Sequence, residues 1–408
     1  MIATARSVGT LLLAIFMIMA GGGFLPTLVS LRLEGAGLSA LAIGLVATAY
    51  FTGLTVGSIL AFSVVARVGH IRAFAVFVSL LSATSLSYAI VLDPVLWALL
   101  RLAEGFCMAG VFVCLESWLN ERAEPETRGR VLAYYMIALY GGQAIGQFLL
   151  NLGETRPSMP FIAASILLSL AVIPISLTRI AAPSPPEGRI MRLRKLYETS
   201  PLGMIGAGAT GMMLGAFYGL GAVFARGAGL TNAGTALFMS ATILGGVALQ
   251  YPLGRLSDRI DRRKVIVAGF AATLAVCLAI FLAAQGRYQL MIAGALFGGA
   301  CFALYPLCVA HTNDHLASGH RVGATGGLVL VYSLGAAAGP LPASALMAFA
   351  GPRGLFLFIG LCAALLLCFA MMRVWVAPPV PGERQRPYLF WPRTTPLAAK
   401  LDPHSPET

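Results

Sequence analysis

The chain has 408 residues, 58% hydrophobic and only 11% charged, with 46 glycines and a formal net charge of +12. A soluble domain of this length needs far more polar surface to cover its core, so an ordinary water-soluble fold is excluded. The basic excess raises nucleic-acid binding, which the placement of the charges then removes.

Apolar runs of about 20 residues, each able to cross roughly 30 Å of hydrocarbon, follow one another along the chain. Twelve are expected, near 7–31, 39–66, 71–92, 95–120, 129–151, 158–180, 201–224, 232–255, 264–284, 288–312, 321–349 and 353–374. Hydrocarbon offers the backbone no hydrogen-bond partners, so each run is expected to be helical. The fold class is an all-α membrane protein. The first run carries Arg6 before its apolar stretch and "AGGG" (20–23) inside it, as a cleaved secretory leader would. Its apolar stretch continues to Leu31, which marks an uncleaved first helix. The seven cysteines all fall in apolar runs without paired or metal-ligand spacing and read as reduced packing residues.

With the N-terminus placed in the cytoplasm, 22 Lys and Arg fall on the cytoplasmic side and five on the outer side. The remaining one, Arg101, lies inside the fourth run. That asymmetry is the positive-inside signature, with both termini cytoplasmic and no role for nucleic acid. The polar connection 181–200, "AAPSPPEGRIMRLRKLYETS", divides the runs into residues 1–180 and 201–374. It reads as a cytoplasmic linker, with an amphipathic helix on anionic lipid from about Gly188 to Tyr197 as a compatible second role. Residues 375–408 are proline-rich and too few to pack a domain, so a disordered cytoplasmic tail is expected.

Charge is concentrated in "PLGRLSDRIDRRK" (252–264), which holds seven charged residues in thirteen positions. Gly254, Leu256, Asp258, Arg259, Asp261, Arg262 and Arg263 there resemble the loop motif of the major facilitator superfamily. The corresponding first-half loop, "FSVVARVGHIR" (62–72), keeps Arg67, Gly69 and Arg72 but has Phe62 and Ala66 in place of the glycine and aspartate. "RLAEGFCMAG" (101–110) is similar to the family's fourth-helix motif. Aligned by small residues, Gly105, Ala109 and Gly110 match Gly294, Gly298 and Gly299 of "GALFGGACFALYP" (294–306). "ESWLN" (116–120) and "YPLCVAHTND" (305–314) add a likeness to a bacterial permease subgroup, the YcaD-like type.

The resemblance spans residues 1–374 and implies twelve transmembrane helices in two pseudo-symmetric six-helix halves around a central cavity. It implies a secondary transporter in the bacterial inner membrane, moving a small solute by alternating access. Proton-coupled efflux is the leading expectation; uptake by symport and a transport-inactive sensor or scaffold are the alternatives. The efflux reading lacks one support, because the glycine–proline motif of the family's proton antiporters is missing from "GGQAIGQ" (141–147). "GAAAGP" (335–340) sits in the eleventh run instead.

Glu104 is the deepest carboxyl group, and Arg101 stands three residues before it on the same helix face. Two readings stay open: a proton carrier tuned by Arg101, or a neutral pair that positions the helix. Gln143, Gln147 and Tyr305 are further candidates for the substrate cavity. Gly254, Asp258, Arg259, Arg262, Asp314, Arg67 and Glu121 are expected to form a latch closed only in one state. In it Asp258 meets the amino end of the fifth helix near Gly129, Arg259 or Arg262 pairs with Asp314, and Arg67 pairs with Glu121. The bland alternative is that the loop merely sets topology. Glu116, nearer the cytoplasmic end, belongs to the latch if it has a role. No phosphate-cradling glycine loop is present, and the five histidines lack metal-ligand spacing. Neither an enzyme nor a cofactor nor a resident metal is expected. The expected partners are a small solute, protons and membrane lipid, around a monomer.

Overall fold

The computed structural model describes residues 2–124, 126–177, 191–282, 286–376, 378–381 and 385–401. Among them eleven helices are long and apolar enough to cross a membrane. We label these α1 (Val8–Gly35), α2 (Ala40–Val68), α3 (His70–Ile90), α4 (Pro94–Arg122), α6 (Met159–Ser176), α7 (Pro201–Gly227), α8 (Asn232–Arg259), α9 (Arg262–Leu282), α10 (Arg287–Asn313), α11 (Arg321–Ala350) and α12 (Gly354–Val376). The label α5 goes to Arg128–Gly146, continued as a 3-10 turn over Gln147–Gly153, which fills the place of the fifth expected span. It is less apolar than the rest because it carries Arg128, Arg130, Gln143 and four glycines.

Helix ends follow local chemistry. Asp93, Ser39, Ser200 and Thr231 each cap a helix by accepting a hydrogen bond from a backbone N–H three residues on. Pro94 and Pro201 take first-turn positions, where no backbone donor is needed.

Glycines set the helix crossings. A Cβ on Gly53 would lie 1.9 Å from the Leu102 carbonyl, and one on Gly105 2.0 Å from that of Tyr50. The second half repeats this: Gly245 meets Ala295 at 2.2 Å and Gly298 meets Thr242 at 1.9 Å. The α1–α5 crossing (Gly142 on Phe16, Gly146 on Ala20) likewise recurs between α7 and α11 (Gly335 on Gly208, Gly339 on Met212). Only a residue without a side chain permits such contact.

These four crossings fix the internal repeat at an offset of 192 residues for the first two helices of each half and 193 for the fourth and fifth. The sequence alignment of Gly105 with Gly294 is therefore one turn out, since Gly105 corresponds to Gly298. A small-residue stripe repeating about every four positions is degenerate by a turn, and only the partner helix decides between registers.

Two other expectations change. Leu193–Thr199 forms a shorter helix than expected, with Leu196 buried near Gly327; residues 178–190 of the linker region lie outside the described residues. The tail is not disordered over residues 385–401. It packs between the halves at the end of the bundle that carries the charge-rich connections, here called the basic end. Trp391, Leu397 and Leu401 are buried there, and Phe390 stacks on Tyr140 at 6.0 Å. Proline content led the expectation, but "YLFWPR" (388–393) carries enough apolar and aromatic surface to offset the ordering entropy.

Candidate functional site

At the opposite end the halves touch directly. The Ser30 hydroxyl on α1 donates to the Gly219 carbonyl on α7 at 2.7 Å, and Ser240 on α8 donates to Ala144 on α5 at 2.5 Å. Gly44 on α2 leaves no room beside Ser344 and Pro340 on α11. Between this seal and the tail lies a cavity of about 120 Å³. Met19, Leu54, Met108 and Phe112 supply apolar wall, and Tyr50, Tyr140, Tyr218, Tyr332 and Gln143 supply the polar groups. Pro392, Arg393 and Thr394 close it. Apolar walls with a few placed phenols and one amide are the kind of lining an organic-ligand site has, although the space left with the tail in place is smaller than such sites usually are.

The tail bonds to both halves. On the second half, Arg386 N–H donates to Asp314 at 3.1 Å, and Tyr388 N–H donates to Asp258 at 2.8 Å. Arg262 ties the cluster together. Its guanidinium donates to Asp314 at 2.5 Å, to Asp258 at 2.9 Å and to the Arg386 carbonyl at 2.7 Å. Burial pushes the Asp314 carboxyl above the usual range, against the pull of Arg262 and the Arg386 N–H. Burial also acts upward on Asp261, but hydrogen bonds from Arg263 outweigh it and hold that carboxyl low.

Gly254 makes room for the tail, since a Cβ there would come within 2.1 Å of the Tyr388 ring. On the first half, Asn120 donates to the Leu397 carbonyl at 2.7 Å, and the Thr394 and Thr395 hydroxyls donate to Glu116. Glu116 is fully buried and also accepts from Tyr135 at 2.8 Å.

The sequence-derived residues divide sharply. Arg262 pairs with Asp314 as expected, whereas Arg259 is exposed and makes no ion pair among the described residues. Arg67 and Glu121 are both exposed and unpaired with each other, because each points into solvent at its helix end. Asp258 meets the tail at Tyr388 instead of the amino end of α5.

Arg101 and Glu104 form a pair at 2.5 Å, 2% and 1% exposed, with the Thr84 hydroxyl donating to Glu104 at 3.2 Å. They sit among α2, α3 and α4, one layer behind the cavity wall. Arg101 reaches that wall by lying over the Tyr50 ring, 4.1 Å from its centroid. Gln143 lines the cavity, and Gln147 is buried one turn further on, its carbonyl oxygen without a partner among the described residues. Tyr305 is fully buried behind Tyr332, with ring centroids 5.1 Å apart.

Sequence reasoning missed Tyr50, Phe302 and Arg393, and left Glu116 without partners. The only signal for Arg393 was an aromatic cluster in an otherwise polar tail.

A family model described as Major Facilitator Superfamily matches residues 10–241 and 202–396. An uncharacterized MFS-type transporter, YcaD, of Salmonella enteritidis PT4 is 29% identical over 359 residues, covering 87% of this chain and 92% of its own. Its counterpart in Salmonella typhi is 28% identical over 378 residues, covering 91% and 97%. Among solved structures, a mutant form of the nucleoside transporter NupG superposes with a TM-score of 0.76 at 12% identity, over 91% of this chain and all of that one. A bacterial homolog of the human lysosomal transporter Spinster, in an inward-facing and occupied conformation, gives 0.74 at 14% identity, over 94% and 97%. At those identities the likeness is one of fold.

Proposed function

Since the chain belongs to the Major Facilitator Superfamily, we propose that it is a proton-coupled secondary transporter that exports a small organic solute by alternating access. The observation that carries this is the cavity between the halves, sealed directly by helices at one end and by a tail segment at the other. A site with one helix-made gate and one removable gate is what a carrier needs and a channel does not. We place the basic end in the cytoplasm, from the 22-to-5 distribution of Lys and Arg, with both termini inside and the inner membrane as location. Export is the favoured direction because the segment that closes the cavity is then cytoplasmic and acts on entry from within.

Glu104 is assigned the proton. Of the two buried carboxyl groups on α4 it is the one nearer the middle of the helix, and Arg101 connects it to Tyr50 in the cavity wall. Emptying or filling the cavity moves Tyr50, and with it the cation that stabilises the carboxylate. The latch role is assigned to Asp258, Arg262, Asp314 and Gly254, which hold the tail in the closed form.

The test is a single cysteine in the cavity wall, Leu54→Cys, in a background with all seven native cysteines replaced by serine or alanine. In oriented vesicles it should react with an impermeant thiol reagent from either face, with solute or protons favouring one face over the other. Reaction from one face under every condition would refute transport.

A further inference from the structure

The chamber is occupied by part of the chain itself, and the occupant is a cation. The Arg393 guanidinium lies over the Phe302 ring, 4.5 Å from its centroid. The rings of Tyr140 and Tyr332 are each 5.8 Å away. It donates to the Tyr140 hydroxyl at 2.7 Å and to the Tyr332 hydroxyl at 3.4 Å. Aromatic faces surrounding a delocalised cation, with phenolic oxygens as acceptors, form a recognition site for such cations.

The walls belong to the helices, and among the described residues only Tyr140 of the three rings also stacks on the tail, at Phe390. Phe302 is fully buried on α10, packing its edge into the space left by Gly246, and Tyr332 rests on Tyr305. Tyr140 tilts against Phe302 with centroids 6.1 Å apart. One residue along the tail, Thr394 and Thr395 cover the buried carboxylate of Glu116. Withdrawal of the tail thus uncovers an aromatic chamber and an adjacent carboxylate together, and both attract positive charge.

We propose that this chamber binds an organic cation bearing a guanidinium or ammonium group, and that Arg393 occupies the part of it nearest the basic end as a tethered competitor. The part of this that concerns transport of the cation rests on the transporter reading; the binding itself does not. A flexible tether presents its group at an effective concentration of roughly millimolar. A free cation of similar intrinsic affinity therefore binds the native chain weakly, and binds much better once Arg393 is neutralised.

The full chain in lipid nanodiscs is titrated calorimetrically with N-acetylarginine amide and with N-acetylcitrulline amide, its uncharged near-isostere. Arg393→Ala should bind the arginine amide about ten-fold more tightly than the native chain does, the gain that a roughly millimolar tether gives for an intrinsic Kd of about 0.1 mM. It should prefer the arginine amide to the citrulline amide by a similar factor. Arg393→Lys keeps the charge and should behave like the native chain. Phe302→Leu added to Arg393→Ala should abolish the gain. Arg393→Gln takes the place of the alanine variant if that one fails to fold.

Equal binding of the two amides, or no gain on neutralising Arg393, overturns the proposal. The Leu54→Cys accessibility assay separates the two levels. Two-sided reaction without cation preference leaves the transporter and removes the cation site. Cation preference with one-sided reaction does the reverse.

Discussion

The two halves share a backbone plan but divide their polar residues in opposite ways. At the repeat offset, Arg101 corresponds to Gly294, Glu104 to Phe297, Glu116 to Val309, Gln143 to Ala336 and Gln147 to Pro340. Every buried polar group singled out in the first half faces an apolar or small counterpart in the second. At the basic end the balance reverses. Gly254, Asp258 and Arg262 correspond to Phe62, Ala66 and His70, so the bonding cluster exists only in the second half. The glycines of the crossings are common to both halves. Scaffold residues are shared because both halves must pack in the same way, while residues with separate tasks have diverged. The first half thus holds the buried Arg101–Glu104 pair, and the second holds the charged cluster that bonds the tail.

The largest expected effect concerns what the halves share. Gly105→Leu and Gly298→Leu each drive a side chain into a facing carbonyl, at a cost of about 3 kcal/mol or more. Both should abolish monodisperse protein in size-exclusion chromatography, and to the same degree. Tolerance of one but not the other would break the equivalence of the crossings.

Next comes the buried pair. Glu104→Gln leaves the Arg101 guanidinium without its counter-charge, a loss of roughly 3–5 kcal/mol that should show as a large drop in melting temperature. The double variant Arg101→Met with Glu104→Leu gives the first half the apolar character of the second and should recover most of that stability. It should not recover proton coupling, read as pH-gradient dependence of Leu54→Cys accessibility. Coupling retained in the double variant would reduce the pair to a packing element.

The gate should respond less. Asp258→Ala copies the Ala66 found in the first half and removes the bonds to Tyr388 N–H and Arg262. Losing charge-assisted bonds at a partly solvated carboxylate should cost about 1–2 kcal/mol. The tail would then open roughly five- to thirty-fold more often, measured as faster labelling of Thr394→Cys.

The smallest effect is expected where the first half has lost the motif. Arg67 and Glu121 are exposed and unpaired with each other, so Arg67→Ala and Glu121→Ala should each fall within about 0.5 kcal/mol of the native melting curve.

Much of this was legible in the sequence, because membrane helices announce themselves by length and apolarity and buried charge stands out against them. The spans and the Arg101–Glu104 pair follow from apolarity and spacing along the helices, and Arg262 is one of the two partners expected for Asp314. Two features were not legible. The register of α4 against α10 depends on which carbonyl faces each glycine, and that information lies in the partner helix. The tail's position depends on a cavity built by residues more than 50 positions away, such as Tyr332 and Tyr140 for Arg393. Local composition showed a proline-rich segment with one aromatic cluster, and neither says where the segment packs. Arg67 and Glu121 failed for a simpler reason: opposite charges at neighbouring helix ends remain apart when water solvates both.

Paired spin labels at the two ends of the bundle test for a carrier with one gate made by helices and one held by the tail. Ala36→Cys with Ala228→Cys reports the outer end, and Arg130→Cys with Lys264→Cys the basic end, in the 408-residue chain in nanodiscs with all seven native cysteines replaced. The native chain should give mainly a short distance at the outer end, with a minor longer population. Arg393→Ala should enlarge the second population at both ends, with the outer pair moving apart as the basic-end pair comes together. A single unchanged distance at both ends, in both proteins and across a pH gradient, would contradict the account.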